Sequence, residues 1–500
     1  MAKIKYPTES KITLNISNFE KGLDTSLSDQ LSSPNSAKIL YNFSFAEGTL
    51  KKGLGFADLI AEFSTPETIE ALKRDFEDMG SIERVFHFYL YDQDKNQRQD
   101  KLVFVNDQLK LFYINLYDTQ KSLIQIRNIA FTSLPVAVRY RLNGEDVIIL
   151  SSESDNMVVW NGKDDPYEVL DAPKISSMAL HYERLFATVD REKNAVWFSD
   201  DLDPTNWSLS LDEAGFIELV DERGALLKVV SFCDYIYIFR EYGISRLTAF
   251  GDQNNFAVSN LFVSSGKIYA DSVCVCGDKI LFMASDGIYK FDGVETIKIL
   301  DGITKNISQI AEQKASACYY NGNYYLACKF NFFDGDDCHL KNSLANALLE
   351  IDATSYKLKN LTHSIQVKYL TSILSESFEG VIALTGDYND NTFYLARVNN
   401  SGQYFDKNFI KHWTSPTFTI SNLHNQKTLR KVYVDATDSF QLDLVCDDVI
   451  HSYVISNSKR PSVLRVNIPL NKFCFRIYSV PPEVEIRGFK FEFSSVKGRE

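Results

Sequence analysis

No apolar run in this 500-residue sequence approaches the length of about 18 residues that a membrane-spanning helix needs, so such a helix is excluded. The opening from Met1 to Ser17 is polar and lacks the apolar core of a signal peptide. We therefore expect a chain that is made in a reducing cytoplasm and does not span a membrane.

None of the eight cysteines belongs to a Cys-x-x-Cys pair. Cys274 and Cys276 alternate within one predicted strand, so they face the same side and are poorly placed to bridge each other. We expect free, buried thiols. The nearest approach to a metal-binding cluster, Cys318, Cys328, Cys338 and His339, fits no structural zinc spacing. We expect no metal site and no cofactor.

The sequence also lacks the basic character of a protein that binds DNA tightly, since its formal net charge is −13. Residues 411–500 carry 13 Lys and Arg against 9 Asp and Glu, a net charge of +4, which leaves −17 for residues 1–410. Two interpretations stay open. The charge is either ordinary cytosolic acidity, or it marks an acidic body that repels nucleic acid and a less acidic end that docks elsewhere.

Catalytic motifs are absent as well. The chain has no Gly-x-Ser-x-Gly elbow, no Walker loop, no His-Glu-x-x-His and no Gly-x-Gly-x-x-Gly after a strand. The seven histidines are dispersed, and we expect His412 and His424 to be surface residues rather than bases. The sequence predicts no catalytic residues and no enzyme.

Aromatic residues, in contrast, are abundant, with 35 Phe and 26 Tyr, and they favour strands. Between Val196 and Gly293, short apolar or alternating runs each close on Gly, Asp or Asn, the pattern of antiparallel strands joined by tight turns. Two-residue hairpin turns are predicted at Asn161-Gly162, Asp292-Gly293 and Asn321-Gly322. We expect an all-β fold whose body, residues 84–410, is a β-propeller of about six to eight blades.

For residues 1–83, the sequence predicts an N-terminal arm and one helix that contribute to this body. Ser64-Thr65-Pro66-Glu67 is expected to cap the helix, whose apolar face repeats at Ile69, Leu72, Phe76 and Met79 before Gly80 ends it. A second short helix is expected near residues 305–315. The longer, regular strands of residues 411–500 predict a C-terminal β-sandwich.

Four groups of residues, here called phrases, follow one another along the chain. The first consists of Gly22, Asp24, Ala37, Asn42, Gly48, Leu50 and Gly53. The second consists of Trp197, Ser199, Asp200, Pro204 and Trp207. The third consists of Gly266, Gly287, Tyr289, Asp292 and Gly293, and the fourth opens at Trp413. This order resembles the propeller-forming tail proteins of short-tailed bacteriophages, which are called nozzle, tail tubular or tail hub proteins. Family members usually carry Arg beside the last glycine of the first phrase, where this chain has Lys51-Lys52.

The resemblance implies a structural protein of the virion tail, made in the cytoplasm of a host bacterium. Copies would form a ring, expected to be a hexamer, below the portal and adaptor, with tail fibres as further partners. Double-stranded DNA would pass through the ring during ejection without specific binding. An acidic lining would prevent the phosphate contacts that a basic lining makes. The phrase residues would then be structural.

Two other functions stay open, a non-enzymatic propeller that binds a glycan or protein, and a sialidase-like glycosidase. The stretch from Ser199 to Trp207 resembles the Asp-box of sialidase-like propellers, although Asp203 stands where glycine is expected and the tryptophan is shifted by one. That box is itself a structural turn. We expect Trp160 and Trp197 in the core rather than stacked on sugars. Asp334 to Asp337 lacks the spacing of a calcium loop and predicts a solvated hairpin tip.

Overall fold

Short antiparallel strands make up most of the chain in the computed structural model. The structure describes residues 10–92, 96–129, 131–210, 214–310, 312–335, 344–386, 393–420, 427–456 and 461–495.

The N-terminal arm contains five strands that form no sheet of their own. They are β1 (Ser10–Ile16), β2 (Ile39–Tyr41), β3 (Phe43–Ser44), β4 (Lys51–Lys52) and β5 (Gly55–Asp58). Strands β1 and β2 enter the two sheets of a C-terminal sandwich, β3 and β4 extend one propeller blade, and β5 completes another. The arm therefore ties the two parts of the molecule together.

The propeller has seven four-stranded antiparallel blades in the described residues. Blade 1 consists of β6 (Ile82–Asp92), β7 (Gln97–Asn106), β8 (Leu111–Asn115) and β9 (Ile124–Gln125). Blade 2 consists of β10 (Val136–Leu142), β11 (Glu145–Ser151), β12 (Met157–Trp160) and β13 (Tyr167–Val169). Blade 3 consists of β14 (Ile175–His181), β15 (Arg184–Val189), β16 (Glu192–Phe198) and β17 (Gly215–Glu218). Blade 4 consists of β18 (Leu226–Phe232), β19 (Tyr235–Arg240), β20 (Gly243–Thr248) and β21 (Ala257–Val263). Blade 5 consists of β22 (Cys274–Cys276), β23 (Lys279–Ala284), β24 (Gly287–Phe291) and β25 (Thr296–Ile299). Blade 6 consists of β26 (Ala315–Tyr320), β27 (Asn323–Cys328), β28 (Ala347–Asp352) and β29 (Leu358–Thr362). Blade 7 consists of β30 (Gln366–Leu374), β31 (Glu379–Gly386), β32 (Phe393–Asn399) and β5 of the arm. The expected all-β propeller is confirmed.

The ring of blades closes through the arm. Strand β5 pairs antiparallel with β32 as the fourth strand of blade 7, and the innermost strand of that blade, β30, packs against the innermost strand of blade 1. Blade 7 also carries β33 (Gln403–Tyr404) and β34 (Lys407–Asn408). Middle strands such as β15 and β27 are buried along their whole length, because a neighbouring blade covers each face.

The C-terminal part is a two-sheet sandwich. Its strands are β35 (Lys411–Thr414), β36 (Phe418–Thr419), β37 (Lys427–Ala436), β38 (Phe440–Cys446), β39 (Val449–Ile455), β40 (Ser462–Leu470), β41 (Lys472–Ser479) and β42 (Ile486–Ser495). Sheet 1 has the order β1-β42-β37-β40. Sheet 2 has the order β2-β35-β41-β38-β39, with β36 also on β41. Both sheets contain an arm strand, so residues 411–500 do not make either sheet alone.

The helix expected after the arm is present, but its capping differs. Helix α2 (Ile69–Met79) begins after Thr68, and Gly80 ends it at a φ of 94°. The prediction that Ser64 starts this helix is wrong, because the Ser64 hydroxyl donates to the Ile60 carbonyl and closes an earlier helix, α1 (Leu59–Phe63). The helix expected at 305–315 is the shorter α3 (Thr304–Ser308). Short 3₁₀ turns lie at Gln253–Asn255, Ala270–Ser272 and Asp301–Ile303.

Only one of the three predicted two-residue turns is correct. Asn321 and Gly322 both have positive φ, 46° and 78°, and join β26 to β27 directly. The loops 161–166 and 292–295 are longer, because the side-chain oxygens of Asn161 and Asp292 accept backbone N–H bonds and build wider turns.

The cysteines in the described residues are free thiols. Cys233 contradicts the expectation of burial, since it lies exposed at φ 41° in the turn between β18 and β19. Cys338 and His339 lie outside the described residues, as do Asp336 and Asp337.

Candidate functional site

Asn42, from the first phrase, lies where the arm, the propeller and the sandwich meet. Its amide donates from Nδ2 to the Ile410 carbonyl at 2.8 Å and accepts at Oδ1 from the His363 N–H at 2.8 Å. Ile410 precedes the first sandwich strand, and His363 lies between blades 6 and 7. Asn42 is 1% exposed and has a φ of 60°, a region that asparagine tolerates better than most residues. One side chain thus joins three parts of the fold.

Of the three glycines of this phrase, Gly53 lies at the same joint, whereas the contacts of Gly22 and Gly48 lie within the arm. A Cβ on Gly53 would lie 2.8 Å from the Asn42 carbonyl oxygen, so a side chain does not fit there. Gly22 has a φ of 60°, and a Cβ on it would lie 2.5 Å from the Phe45 ring. Gly48 has a φ of 79° and accepts the Phe19 N–H. Lys51 and Lys52 form β4 and pair with Glu47 and Glu483 at 2.6 and 2.7 Å.

His412 belongs to this joint, and the expectation that it is a surface residue is wrong. It is 4% exposed, contacts the Tyr41 hydroxyl at 3.1 Å through Nδ1 and the Thr414 hydroxyl at 2.6 Å through Nε2. Burial is the main cause that lowers the pKa of His412 to about 4. Tyr41 also stacks on His363, with ring centroids 4.6 Å apart. His424 lies outside the described residues.

The second phrase builds a turn in blade 3. Ser199 is fully buried and its hydroxyl accepts the Leu185 N–H at 3.0 Å. The Trp207 indole donates to the Pro204 carbonyl at 2.9 Å and is 3% exposed. Trp197 is half-buried and stacks on Phe216 at the edge of the core, so the expected core position is wrong for this residue. These are structural contacts of a loop between two strands.

The third phrase shapes blade 5. A Cβ on Gly266 would lie 2.4 Å from the Asp286 carboxylate. Tyr289 donates to that carboxylate at 2.7 Å. Gly293 has a φ of 99° and accepts the Tyr237 hydroxyl of blade 4 at 3.2 Å, so it links two blades. Gly287 has a φ of 149°, and a Cβ there would lie 2.5 Å from the Lys298 side chain.

Trp413, the fourth phrase, fills the sandwich core. It is fully buried, lies edge-on to Phe19 of the arm at 5.5 Å and contacts Phe475 at 5.0 Å between ring centroids. Trp160 is buried at 3% exposure, so its expected core position is confirmed.

An acidic aromatic groove on blades 3 and 4 was not predicted from the sequence. A cavity of about 460 Å³ is lined by His181 to Arg184, Asp201 and Ala249 to Gly251. The rings of Tyr182 and Phe250 are 51% and 71% exposed and meet edge to face at 5.5 Å. Both residues lie in loops between strands. An aromatic residue at such a position is the sequence signal that could have indicated this groove.

The groove has negative charge around its aromatic rings. Glu183, Asp201 and Asp234 are exposed beside it, and burial and the Asp234 carboxylate raise the pKa of the Tyr182 hydroxyl. Arg184 is buried, donates to the Ser199 carbonyl at 3.2 Å and lies 3.9 Å from the Asp201 carboxylate. The lining therefore presents apolar rings and carboxylates to solvent, one of them paired with Arg184.

Leu202, which is 62% exposed, extends the groove, since its N–H donates to the Glu183 carbonyl at 3.2 Å. We define the groove surface as Tyr182, Glu183, Asp201, Leu202, Asp234 and Phe250.

Side chains cross the centre of the propeller. Lys228 of blade 4 donates to the Ala270 and Val273 carbonyls at 3.2 and 2.9 Å, and burial lowers its pKa. Arg84 of blade 1 donates to the Pro135 carbonyl and lies 5.6 Å from the Tyr369 ring centroid. Burial raises the pKa of Tyr369 to about 12. These contacts bridge neighbouring blades at the axis.

The residues that the structure describes contain no group of three His, Cys, Asp or Glu arranged to hold a metal ion. They also contain no helix with the length and apolar character needed to cross a membrane.

The chain matches no protein-family model and no curated protein sequence. Similar solved structures include the extracellular domain of BT4673 from B. thetaiotaomicron, with 9% identity and a TM-score of 0.40 over 81% of this chain. This chain spans 57% of the length of that domain. The Cps50 (Swd1) β-propeller domain from Myceliophteria thermophila has 10% identity and a TM-score of 0.41, over 64% of this chain and 97% of that one. These distant likenesses carry no functional argument.

Proposed function

We propose that the chain is a structural component of a phage tail, in which copies form a ring in the distal tail that double-stranded DNA crosses during ejection. The observation that carries the proposal is the position of the first phrase. Asn42 and Gly53 lie at the joint between arm, propeller and sandwich, so two residues of the phrase that resembles the tail proteins support this architecture.

The centre of the propeller supports a channel between copies rather than through one chain. Arg84, Lys228 and Tyr369 cross or pack at the axis. A duplex needs a far wider passage than these contacts leave. The DNA would therefore pass along a lumen that several copies enclose, with the portal-side adaptor and the tail fibres as neighbours.

The charge of the chain is compatible with passage without binding. Residues 1–410 carry a net charge of −17. Exposed carboxylates repel phosphates, whereas lysines and arginines would hold them by releasing counterions. The lumen is expected to be lined mainly by acidic and neutral side chains.

The exposed rings of Tyr182 and Phe250 favour one second candidate, a non-enzymatic propeller that binds a glycan or a protein. A sialidase-like enzyme is less well supported, because such enzymes use three substrate-binding arginines and the groove lining includes one, Arg184. A glycan array with the purified chain, beside a Phe250→Ser variant, tests the second candidate.

Quantitative mass spectrometry of density-purified, DNA-filled particles tests the proposed function. The tail assignment predicts this chain at a small fixed ratio to the portal protein. Its absence from particles, with the chain in the soluble cell fraction, would refute a virion role.

A further inference from the structure

The molecule carries a basic surface that complements the acidic groove. On the outer face of sandwich sheet 1, register aligns Lys431 of β37 with Arg465 of β40, and the next outward pair is Tyr433 and Val463. Lys490 of β42 is level with Tyr433, and its ammonium lies 5.4 Å from that ring. Two lysines, one arginine and the side chains of Tyr433 and Val463 thus share one face.

Two further cations join this face. Lys11 lies on the neighbouring strand β1, and a bulge between Leu429 and Lys431 turns Arg430 outward beside Lys431. Glu492 is the acidic residue in the same rows, opposite Lys431 and 3.7 Å from the Lys490 ammonium, so the face keeps an excess of positive charge. We define the basic sheet face as Lys11, Arg430, Lys431, Tyr433, Val463, Arg465 and Lys490.

The two surfaces lie on different parts of the molecule. The sandwich is anchored through Asn42 and through the Lys52–Glu483 ion pair, and it shares a core with residues of blades 5 and 6. The groove surface belongs to blades 3 and 4. In a ring of seven blades, blade 3 is three steps from blades 6 and 7, whereas blade 4 is two steps from blade 6 and three from blade 7.

We propose that the groove surface of one copy binds the basic sheet face of the next copy. The chemistry is that of a specific interface, in which aromatic and apolar residues are covered while opposite charges surround them. Because the two surfaces differ, the contact is head-to-tail, and it generates a closed ring when the rotation per copy divides a full turn. This proposal rests on the proposed function and adds the contact that would build the ring.

Charge reversal on each surface tests the contact in the full-length chain. The groove variant carries Glu183→Lys and Asp201→Lys, and the face variant carries Lys431→Glu and Arg465→Glu. A control variant, Glu77→Lys with Asp78→Lys, makes the charge change of the groove variant on the exposed side of helix α2. Circular dichroism and thermal melting establish that each variant is folded.

Sedimentation velocity and native mass spectrometry, at concentrations up to hundreds of micromolar and at low and high salt, measure association. We expect the wild-type and control chains to associate, and each reversal variant to associate at least about tenfold more weakly. Mixing the two variants is the decisive step, because the unchanged basic face of one meets the unchanged groove of the other. The mixture should recover association, and high salt should weaken it.

Three results would overturn the contact. They are a wild-type chain that stays monomeric throughout, variants that associate like the control, and a mixture that does not recover. Groove-dependent binding of a glycan without self-association would also replace a second copy as the occupant. The outcome is separable from the tail role, because a chain absent from particles that still associates in this way refutes only the role, and a particle-bound chain whose variants assemble normally refutes only the contact.

Discussion

Replacing Asn42 with alanine should uncouple the sandwich from the propeller. The change removes two hydrogen bonds of 2.8 Å and leaves the buried His363 N–H without this partner, whereas the Ile410 carbonyl belongs to a residue that is 56% exposed. The first loss costs about 1–3 kcal/mol and the second about 0.5–1.5 kcal/mol. Alanine at a φ of 60° adds about 1 kcal/mol of backbone strain. We expect a total loss of about 3–5 kcal/mol in the free energy of unfolding.

A matched control separates the loss of the hydrogen bonds from the backbone strain. Asn321 also has a positive φ, 46°, but lies exposed in a hairpin turn, so Asn321→Ala should cost about 1 kcal/mol from strain alone. Asn42→Gly should keep the hydrogen-bond loss and remove the strain.

Urea-induced unfolding of the three variants, followed by circular dichroism, measures these costs. Limited proteolysis between the propeller and the sandwich reports uncoupling, and Asn42→Ala should be cut faster than Asn321→Ala. If the two alanine variants lose equal stability and are cut at equal rates, the joint does not hold the parts together and the reasoning is refuted.

Three smaller predictions concern Gly53, His412 and Phe250. Gly53→Ala should lose about 1–3 kcal/mol, because its Cβ would lie 2.8 Å from the Asn42 carbonyl oxygen, and a urea midpoint equal to that of the wild type would contradict this. His412 has a pKa of about 4 in the fold and about 6.5 when unfolded, so the unfolded chain takes up the proton first and stability falls as the pH drops from about 6.5 to about 4, by at most about 3 kcal/mol. Urea titrations at several pH values should show a smaller acid loss in His412→Gln, and an unchanged pH profile would show that another group is responsible. Phe250→Ser should change thermal stability little, since the ring is 71% exposed, and a large drop in melting temperature would mean that the ring supports the fold.

The sequence predicted the strands well because their burial pattern is local. Runs such as Met157–Trp160 and Phe440–Cys446 form strands, inside the segments where the sequence predicts the propeller body and the sandwich. The blade number followed only from the structure, because which strand pairs with which is set by contacts distant in the chain. Strand β5 shows this best, since its partner β32 lies more than 300 residues later.

The candidate surfaces were harder to predict for the same reason. The sequence predicted an exposed His412. In the fold, Tyr41 of strand β2 and Thr414 of its own strand, β35, enclose its side chain. The groove combines Tyr182 and Phe250 from turns of two blades, and no local pattern places two turns side by side. In contrast, the positive φ of Gly22 and Gly48 in the first phrase is a local requirement that their residue type already suggests.

The central claim is that copies of this chain enclose the passage for DNA in the tail. A cryo-EM reconstruction of the tail in DNA-filled particles tests it most directly. The account predicts a closed ring of this chain below the adaptor, with a lumen wide enough for a duplex and lined mainly by acidic and neutral side chains. A ring lumen lined mainly by lysine and arginine, or a tail whose density holds no propeller of seven blades, would contradict it.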